Sequence, residues 1–381
     1  MREVLSTPGP TLGVVGGGQL GRMLAAAAGP LGVEVVVLDP TPDCPAAPVC
    51  RDQIVAEFDD EDALADLADR ADALTYEIEL ADPDALDRAS AAADVPVHPD
   101  PDTLRTIEDK LVQKRRLAEA GVPVPPFRAV DSAADVRDAV DALGAPLMLK
   151  ARTGGYDGRG NVPVEDVEWA ADAFEQLDGP AMAESLVDFD RELSVIAVQG
   201  DDEVATFPVG ENRHEPEILR ETVAPARTDE AVRERARDVA LSVLERLDGR
   251  GVFGIELFEV DDEILVNEIA PRPHNSGHWT IEGAVTSQFE QHVRATLGWP
   301  LGSTDLRGPT ASANLLGDVD EPRAAALSGV DHILETPGAA LHWYGKREAR
   351  PLRKMGHVTA VGDDGPPLEL VRDLVAATTF R

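Results

Sequence analysis

The sequence predicts a mixed α/β and α+β fold: a parallel-sheet α/β unit at the N-terminus, then units built on longer β segments. Three features carry this. Strand-like and helix-like patterns alternate through the first hundred residues. A Pro-rich stretch, VPVPPF, follows Gly121 and ends that region, and beyond it the apolar runs lengthen, as in RELSVIAVQG and GVFGIELFEV. At 381 residues and 43% hydrophobic content the chain can bury more than one core, and roughly 150 residues per domain predicts two to three domains.

Taken in order, TLGVVGGG is a strand and turn, QLGRMLAAAAG a helix, VEVVVLD a strand, EDALADLADRAD a helix and ALTYEIE a strand, which is the pattern of βαβ units. DTLRTIEDKLVQKRRLAEAG reads as one helix, stopped by Gly121 and the prolines after it. A small unit follows, with the strand APLMLKA, the glycine loop RTGGYDGRGN and the strand-like AMAESLV. The longer β segments are RELSVIAVQG, EVATFPVG, GVFGIELFEV and EILVNEIAPR, with helices at about 229 to 247 and 283 to 297. From about 308 the tail is mixed and includes ALHWYGK and GHVTAVG, and no internal repeat is seen.

Charge narrows the function. The 35 basic and 71 acidic residues leave a net charge of −36, a field that repels nucleic acid and anionic membrane surfaces. An anionic substrate must therefore meet a local basic pocket. Lysine is scarce: Lys110, Lys114, Lys150, Lys346 and Lys354 are all there are, so each is expected to be kept for a reason. An acidic chain so poor in Lys also fits a high-salt cytoplasm. Cys44 and Cys50, with five residues between them, match neither a zinc framework nor a redox pair. No run of 18 apolar residues occurs and MREVLSTPGP lacks a signal core, so a soluble cytoplasmic protein is expected.

Gly16, Gly18 and Gly21 form G-x-G-x-x-G between a strand and a helix, and Asp39 ends the next strand. Alone, this motif points to a dinucleotide, to another anion at the helix N-terminus, or to plain strand-to-helix packing. Lys150 ends an apolar strand and is followed by Gly154, Gly155, Gly158 and Gly160, a pattern suited to an ammonium on phosphate with loop amides closing over it; an Asp-Gly hairpin turn is the bland alternative. A hairpin with a three-residue loop centred on Asp262 would set Glu256 opposite Glu268. Two carboxylates on one face invite Mg²⁺ shared with a nucleotide. PRPHNSGHW, residues 271 to 279, supplies donors for an anion, and Lys346, Arg347, Arg350, Arg353 and Lys354 concentrate positive charge for a phosphate.

The segments GGGQLGRM, TYEIE, RTGGYDGRGN, FPVGENRH, VNEIAPRPHNSGHWT and HWYGKREARPLRKMGH together resemble the N5-carboxyaminoimidazole ribonucleotide synthase family of ATP-grasp enzymes, in order and spacing, from about residue 11 to about 360. The resemblance implies an ATP-grasp fold with a Rossmann-like substrate-binding domain at 1–105, a lid at 106–186, a catalytic domain at 187–305 and a C-terminal subdomain at 306–381. It implies ATP-dependent carboxylation of 5-aminoimidazole ribonucleotide with bicarbonate, through carboxyphosphate, in purine biosynthesis. Mg²⁺ is the implied cofactor, with Mn²⁺ as the alternative, and a homodimer the implied assembly.

By the same resemblance, ATP would meet Lys110, Lys150, the loop Gly155, Tyr156, Asp157, Gly158, Arg159, Gly160 and Asn161, the adenine-binding strand Glu184, Ser185, Leu186 and Val187, and Glu192, His214, Asn267 and Glu268. Glu256 and Glu268 would hold the metal. Arg272, His274, Asn275 and Lys346 would form the bicarbonate pocket, and Asp157 would stand near the substrate amine. Gln19, Leu20 and Glu77 would contact the ribonucleotide, with its phosphate against Lys346, Arg353 and Lys354. The rivals are formate-dependent glycinamide ribonucleotide transformylase, the biotin carboxylase component of acyl-CoA carboxylases and, from another class, an NAD-dependent oxidoreductase.

Overall fold

The computed structural model describes residues 6–154, 160–177, 179–215 and 218–381. Its first sheet is parallel, in the order Asp52–Ile54, Glu34–Leu38, Thr11–Val15, Ala73–Tyr76. TLGVV is buried along its whole length because both faces of the sheet are covered. Leu12 and Val14 pack with Leu20, Met23 and Leu24 of helix Gln19–Ala28, while Val15 and Leu38 pack with Leu64 and Leu67 of Glu61–Asp69 and Leu86 of Pro83–Ala93.

The stretch expected as one helix is two, Pro101–Glu108 and Lys110–Glu119. Asp109 breaks it. Its backbone is extended, its carboxylate accepts from the amides of Leu111 and Val112 to cap the second helix, and Arg152 grips the same carboxylate. The break puts Lys110 at the first helical position, its own amide bonded to the Arg152 carbonyl.

A small antiparallel sheet follows, in the order Phe127–Val130, Ala181–Ser185, Leu147–Ala151, Asn161–Val164. Leu147 and Leu149 face helices Ala133–Leu143 and Ala170–Leu177. Strand alternation therefore turns Met148 and Lys150 to the other face, and the register Met148↔Glu184 puts Glu184 there too. The strand expected over Glu184 to Val187 stops at Ser185, so Leu186 and Val187 lie in the chain that leaves it.

The third sheet is antiparallel and runs Glu263–Ala270, Gly251–Val260, Arg191–Gln199, Gly210–His214, Leu219–Ala224, Thr310–Leu316, Lys354–Val361, Ala339–Trp343, with Val204–Thr206 added to Arg191–Gln199. It is continuous across residue 306. Helix Glu230–Leu244 packs its Val232, Ala236, Val239 and Val243 against one face, over Leu193, Val195, Phe253 and Ile255.

The Gly251–Val260 hairpin departs from the expected turn. Asp261 and Asp262 alone form the loop, both with positive φ (49° and 67°), a conformation Asp tolerates, and Val260 pairs with Glu263. That register would set Glu268 opposite Ile255. A β-bulge intervenes: Leu257 pairs with Val266 but Glu256 with Glu268, leaving Asn267 as the extra residue. The expected carboxylate pair is present because the bulge offsets the shorter turn.

Candidate active site

The glycine fingerprint is occupied by the protein itself. The Gly17 amide donates to Asp39 Oδ2 at 2.9 Å and the Gly18 amide to Glu77 Oε1 at 2.5 Å. A Cβ at Gly16 would meet Glu77 Cγ at 2.6 Å, and one at Gly18 would meet Glu77 Oε1 at 2.8 Å. Gly16 also has a φ of 102°, which L side chains rarely adopt, so glycine is required there, with the Glu77 side chain lying over the loop. With those amides and that space taken by Glu77 and Asp39, the dinucleotide reading does not hold. Burial, against the Gly18 hydrogen bond and the Arg272 and Lys346 charges, pushes the Glu77 carboxyl up to about 7.

Beside this loop, Gln19 Oε1 accepts from Lys346 Nζ at 2.8 Å, and Lys346 also donates to the Lys354 carbonyl at 2.6 Å. The Leu20 side chain is not part of this surface; it is buried in the core between helix and sheet. The C-terminal basic run divides in the fold. Arg347 pairs with Asp43 and Arg350 with Glu348, both highly exposed, while Arg353 donates to the Glu348 carbonyl at 2.9 Å.

The nucleotide-type residues form a second cluster. Lys150 Nζ lies 2.5 Å from Glu184 Oε1 and 3.5 Å from Asn267 Oδ1, and Asn161 and Gly160 adjoin it through the neighbouring strand. Lys110 Nζ donates to Glu268 Oε1 at 3.1 Å. Its charge, against the effect of burial, holds the Glu268 carboxyl down at about 2, although half of that side chain (52%) still reaches solvent.

Glu192 Oε2 bonds His214 Nδ1 at 2.9 Å, and His214 Nε2 and His274 Nδ1 each stand 3.9 Å from Glu256 Oε1. Burial raises the Glu256 carboxyl; His214 opposes this and Glu268 adds to it. Burial lowers the His214 imidazole, but Glu192 and Glu256 outweigh it and the net shift is upward. His274 is pushed down to about 3 by burial and the Arg272 charge, so it is neutral here. The like-charged pair Glu256 and Glu268, with one member destabilised by burial, is suited to a divalent cation shared with nucleotide phosphates. Among the described residues no group of three or more His, Cys, Asp or Glu has metal-binding geometry.

Between these two clusters, Arg272 Nη2 contacts both Glu79 oxygens, at 2.8 and 3.1 Å. Both side-chain polar atoms of Asn275 and the Arg272 Nε are buried and have no hydrogen-bond partner among the described residues. The two donors among them, Arg272 Nε and Asn275 Nδ2, are matched to a small oxyanion, and Asn275 Oδ1 can accept from one that keeps a proton. Gly155, Tyr156, Asp157, Gly158 and Arg159 lie outside the described residues.

Two residues at the site escaped the sequence reading. Glu79 gave no signal beyond lying in TYEIE. Lys114, fully buried, forms an ion pair with Glu184 Oε2 and donates to the Val266 carbonyl, each at 2.8 Å, and its signal was the scarcity of Lys. A separate cavity of about 420 Å³ is lined by Arg213, Arg220, Glu221, Asn314 and Arg372; Arg213 and Arg372 are matched by Glu215, Glu221 and Glu369, and Arg220 donates to the Glu215 carbonyl.

Family models match three successive segments: a ribonucleotide synthetase preATP-grasp domain at 10–108, an ATP-grasp domain at 115–289 and a phosphoribosylaminoimidazole carboxylase C-terminal domain at 310–369. The N5-carboxyaminoimidazole ribonucleotide synthase of Brucella melitensis is 44% identical over 93% of this chain and 97% of its own length. The chain belongs to the N5-carboxyaminoimidazole ribonucleotide synthase family. The Bacillus subtilis member is 39% identical over 94% of this chain and 93% of its own.

Solved structures of the family agree in fold. The Thermus thermophilus synthetase superposes with a TM-score of 0.85 at 43% identity, covering 96% of this chain and 97% of that one. The Aspergillus clavatus enzyme, in complex with ADP and 5-aminoimidazole ribonucleotide, has a TM-score of 0.88 at 35% identity, covering 97% and 100%. The fold is thus ATP-grasp with a preATP-grasp domain, the chain is an ATP-dependent ligase by family, and no described helix is long and apolar enough to cross a membrane.

Proposed function

We propose that this chain carboxylates 5-aminoimidazole ribonucleotide with bicarbonate and ATP, giving N5-carboxyaminoimidazole ribonucleotide, ADP and phosphate in purine biosynthesis. The observation that carries the reading is the convergence of three groups around Arg272: Lys110, Lys150 and the Glu256/Glu268 pair on one side, Gln19, Glu77 and Lys346 on the other, and Asn275 beside it. The alternatives account for less: Glu77 and Asp39 occupy the glycine-loop amides that a nicotinamide cofactor would use, and relatives covering nearly the whole chain are N5-carboxyaminoimidazole ribonucleotide synthases, neither glycinamide ribonucleotide transformylases nor biotin carboxylases.

In this reading Lys110 and Lys150 exchange their carboxylate partners for ATP phosphates, and Asn161 and Gly160 continue the loop over them. Glu192 takes the ribose hydroxyls as a double acceptor, with His214 beside it, while Ser185, Leu186 and Val187 border the adenine. Glu256 and Glu268 would hold Mg²⁺, or Mn²⁺ in its place, whose charge would offset that of the phosphates. Arg272, His274, Asn275 and Lys346 orient bicarbonate for in-line attack on the γ-phosphorus, and the resulting carboxyphosphate delivers CO₂ to the exocyclic amine. Asp157 takes the amine proton, and Lys346, Arg353 and Lys354 hold the ribonucleotide phosphate.

The division 1–105, 106–186, 187–305 and 306–381 is kept for the substrate-binding, lid, catalytic and C-terminal units. A homodimer in a salt-rich cytoplasm completes the proposal, supported by family membership and by the −36 net charge respectively. ADP release at high KCl with Mg-ATP and bicarbonate, with and without 5-aminoimidazole ribonucleotide, tests the reaction. Strong, bicarbonate-dependent stimulation by the ribonucleotide is expected; turnover indifferent to it would refute the acceptor assignment.

A further inference from the structure

The strand Ala73–Tyr76 delivers two carboxylates at its C-terminal end, the edge where open α/β sheets bind ligands, and they serve different neighbours. Glu77 lies on the Gly18 amide beside Gln19. Glu79, separated from it by Ile78 alone, reaches across to the catalytic sheet's exit loop and pairs with Arg272. The pair is largely enclosed, with the side chains 18% and 28% exposed. Arg272 Nη1 donates to the Pro273 carbonyl at 3.2 Å, and only its Nε has no partner among the described residues. An anion entering beside Arg272 therefore meets a neutralised guanidinium, not a full positive charge.

We propose that Glu79 is a positioning residue that couples bicarbonate activation to the acceptor: it holds Arg272 while the ribonucleotide site is empty and releases it when that site fills. The proposal rests on the reading of the reaction given above. The linkage is short, because a ligand that settles against Gln19 and Glu77 moves a segment in which Glu79 is two residues on. The acceptor also brings its own competitor, since an exocyclic amine has N–H donors and a carboxylate is an acceptor only. Drawing Glu79 off Arg272 frees a planar guanidinium whose fork matches bicarbonate. Without the acceptor, bicarbonate must displace Glu79 unaided, so ATP is protected from idle hydrolysis. A purely structural ion pair would differ in one respect: its loss would lower stability and turnover but would not raise ATP hydrolysis in the absence of acceptor.

The test compares full-length enzyme with Glu79→Gln and Glu79→Asp at high KCl, measuring ADP release and fixation of labelled bicarbonate in parallel. Glu79→Gln is expected to raise ADP release without ribonucleotide by about fivefold or more, to lower the KM for bicarbonate by a similar factor, and to release more than one ADP per carboxylated product. Glu79→Asp, which keeps the charge, should stay near the wild type in all three. Unchanged acceptor-free ADP release and an unchanged bicarbonate KM in Glu79→Gln overturn the proposal. Wild-type ADP release that no ribonucleotide stimulates overturns the underlying reaction instead. If Glu79→Gln does not fold, the wild type decides: a bicarbonate KM for ADP release that falls about fivefold or more when the ribonucleotide is added supports the gate, and a KM equal with and without it refutes it.

Discussion

Replacing Lys114 by Met tests how the nucleotide wall is held. The Lys114 ammonium is 2.8 Å from Glu184 Oε2 and 2.8 Å from the Val266 carbonyl, and the two side chains keep 2% and 4% exposure. It thereby joins helix Lys110–Glu119, the small sheet and the bulged hairpin at one point. Burial brings Lys114 down to about 8, while Lys114 and Lys150, against burial, hold Glu184 low, so the pair is charged at neutral pH. Breaking a buried pair from one side costs about 3–5 kcal/mol, and because Lys150 still contacts Glu184 the lower figure applies. At about 2.1 cal/mol/K per residue over 381 residues, each kcal/mol is worth about 1.2 °C, so the midpoint of thermal unfolding should fall by about 4 °C at pH 7. Glu184 would then draw Lys150 wholly to itself, so the KM for ATP should rise while that for the ribonucleotide does not. Adding Glu184→Gln removes the stranded charge and should return about 1–3 kcal/mol of the loss. A Lys114→Met protein that melts with the wild type and keeps its KM for ATP refutes the argument.

Glu77→Gln should stabilise the protein more at pH 8 than at pH 5. The folded Glu77 carboxyl is raised from 4.5 to about 7, so the native state binds the extra proton and wild-type stability falls as pH rises through that window; equal shifts in melting at both pH values would contradict it. Glu268→Gln should abolish turnover with loss of metal-dependent ATP binding, and near-normal ADP release would remove the metal assignment. Arg353→Ala should raise the KM for the ribonucleotide far more than for ATP; an equal effect on both would refute its place at the sugar phosphate. Melting temperature should climb with KCl because screening relieves the self-repulsion of a −36 chain, and full stability in low salt would count against the high-salt adaptation.

Local periodicity was enough to read the alternating strands and helices of the parallel sheet, since strand and helix periods are properties of a few consecutive residues. The motifs from residue 150 onward were legible for the same reason: their reactive groups lie close together in the chain. What sequence order could not supply was decided by partners brought from afar. The break at Asp109 depends on Arg152 gripping its carboxylate, and no pattern within the helix signals it. The glycine fingerprint was ambiguous because its ligand, the Glu77 carboxylate, arrives from another strand 59 residues away. Glu256 meets Glu268 only because a bulge at Asn267 offsets a turn shorter than expected, and a bulge answers to the register of the whole ladder. Sequence alone determined the family and most of the candidate residues; the packing of three sheets determined which of them touch, because contact between distant segments is a tertiary property.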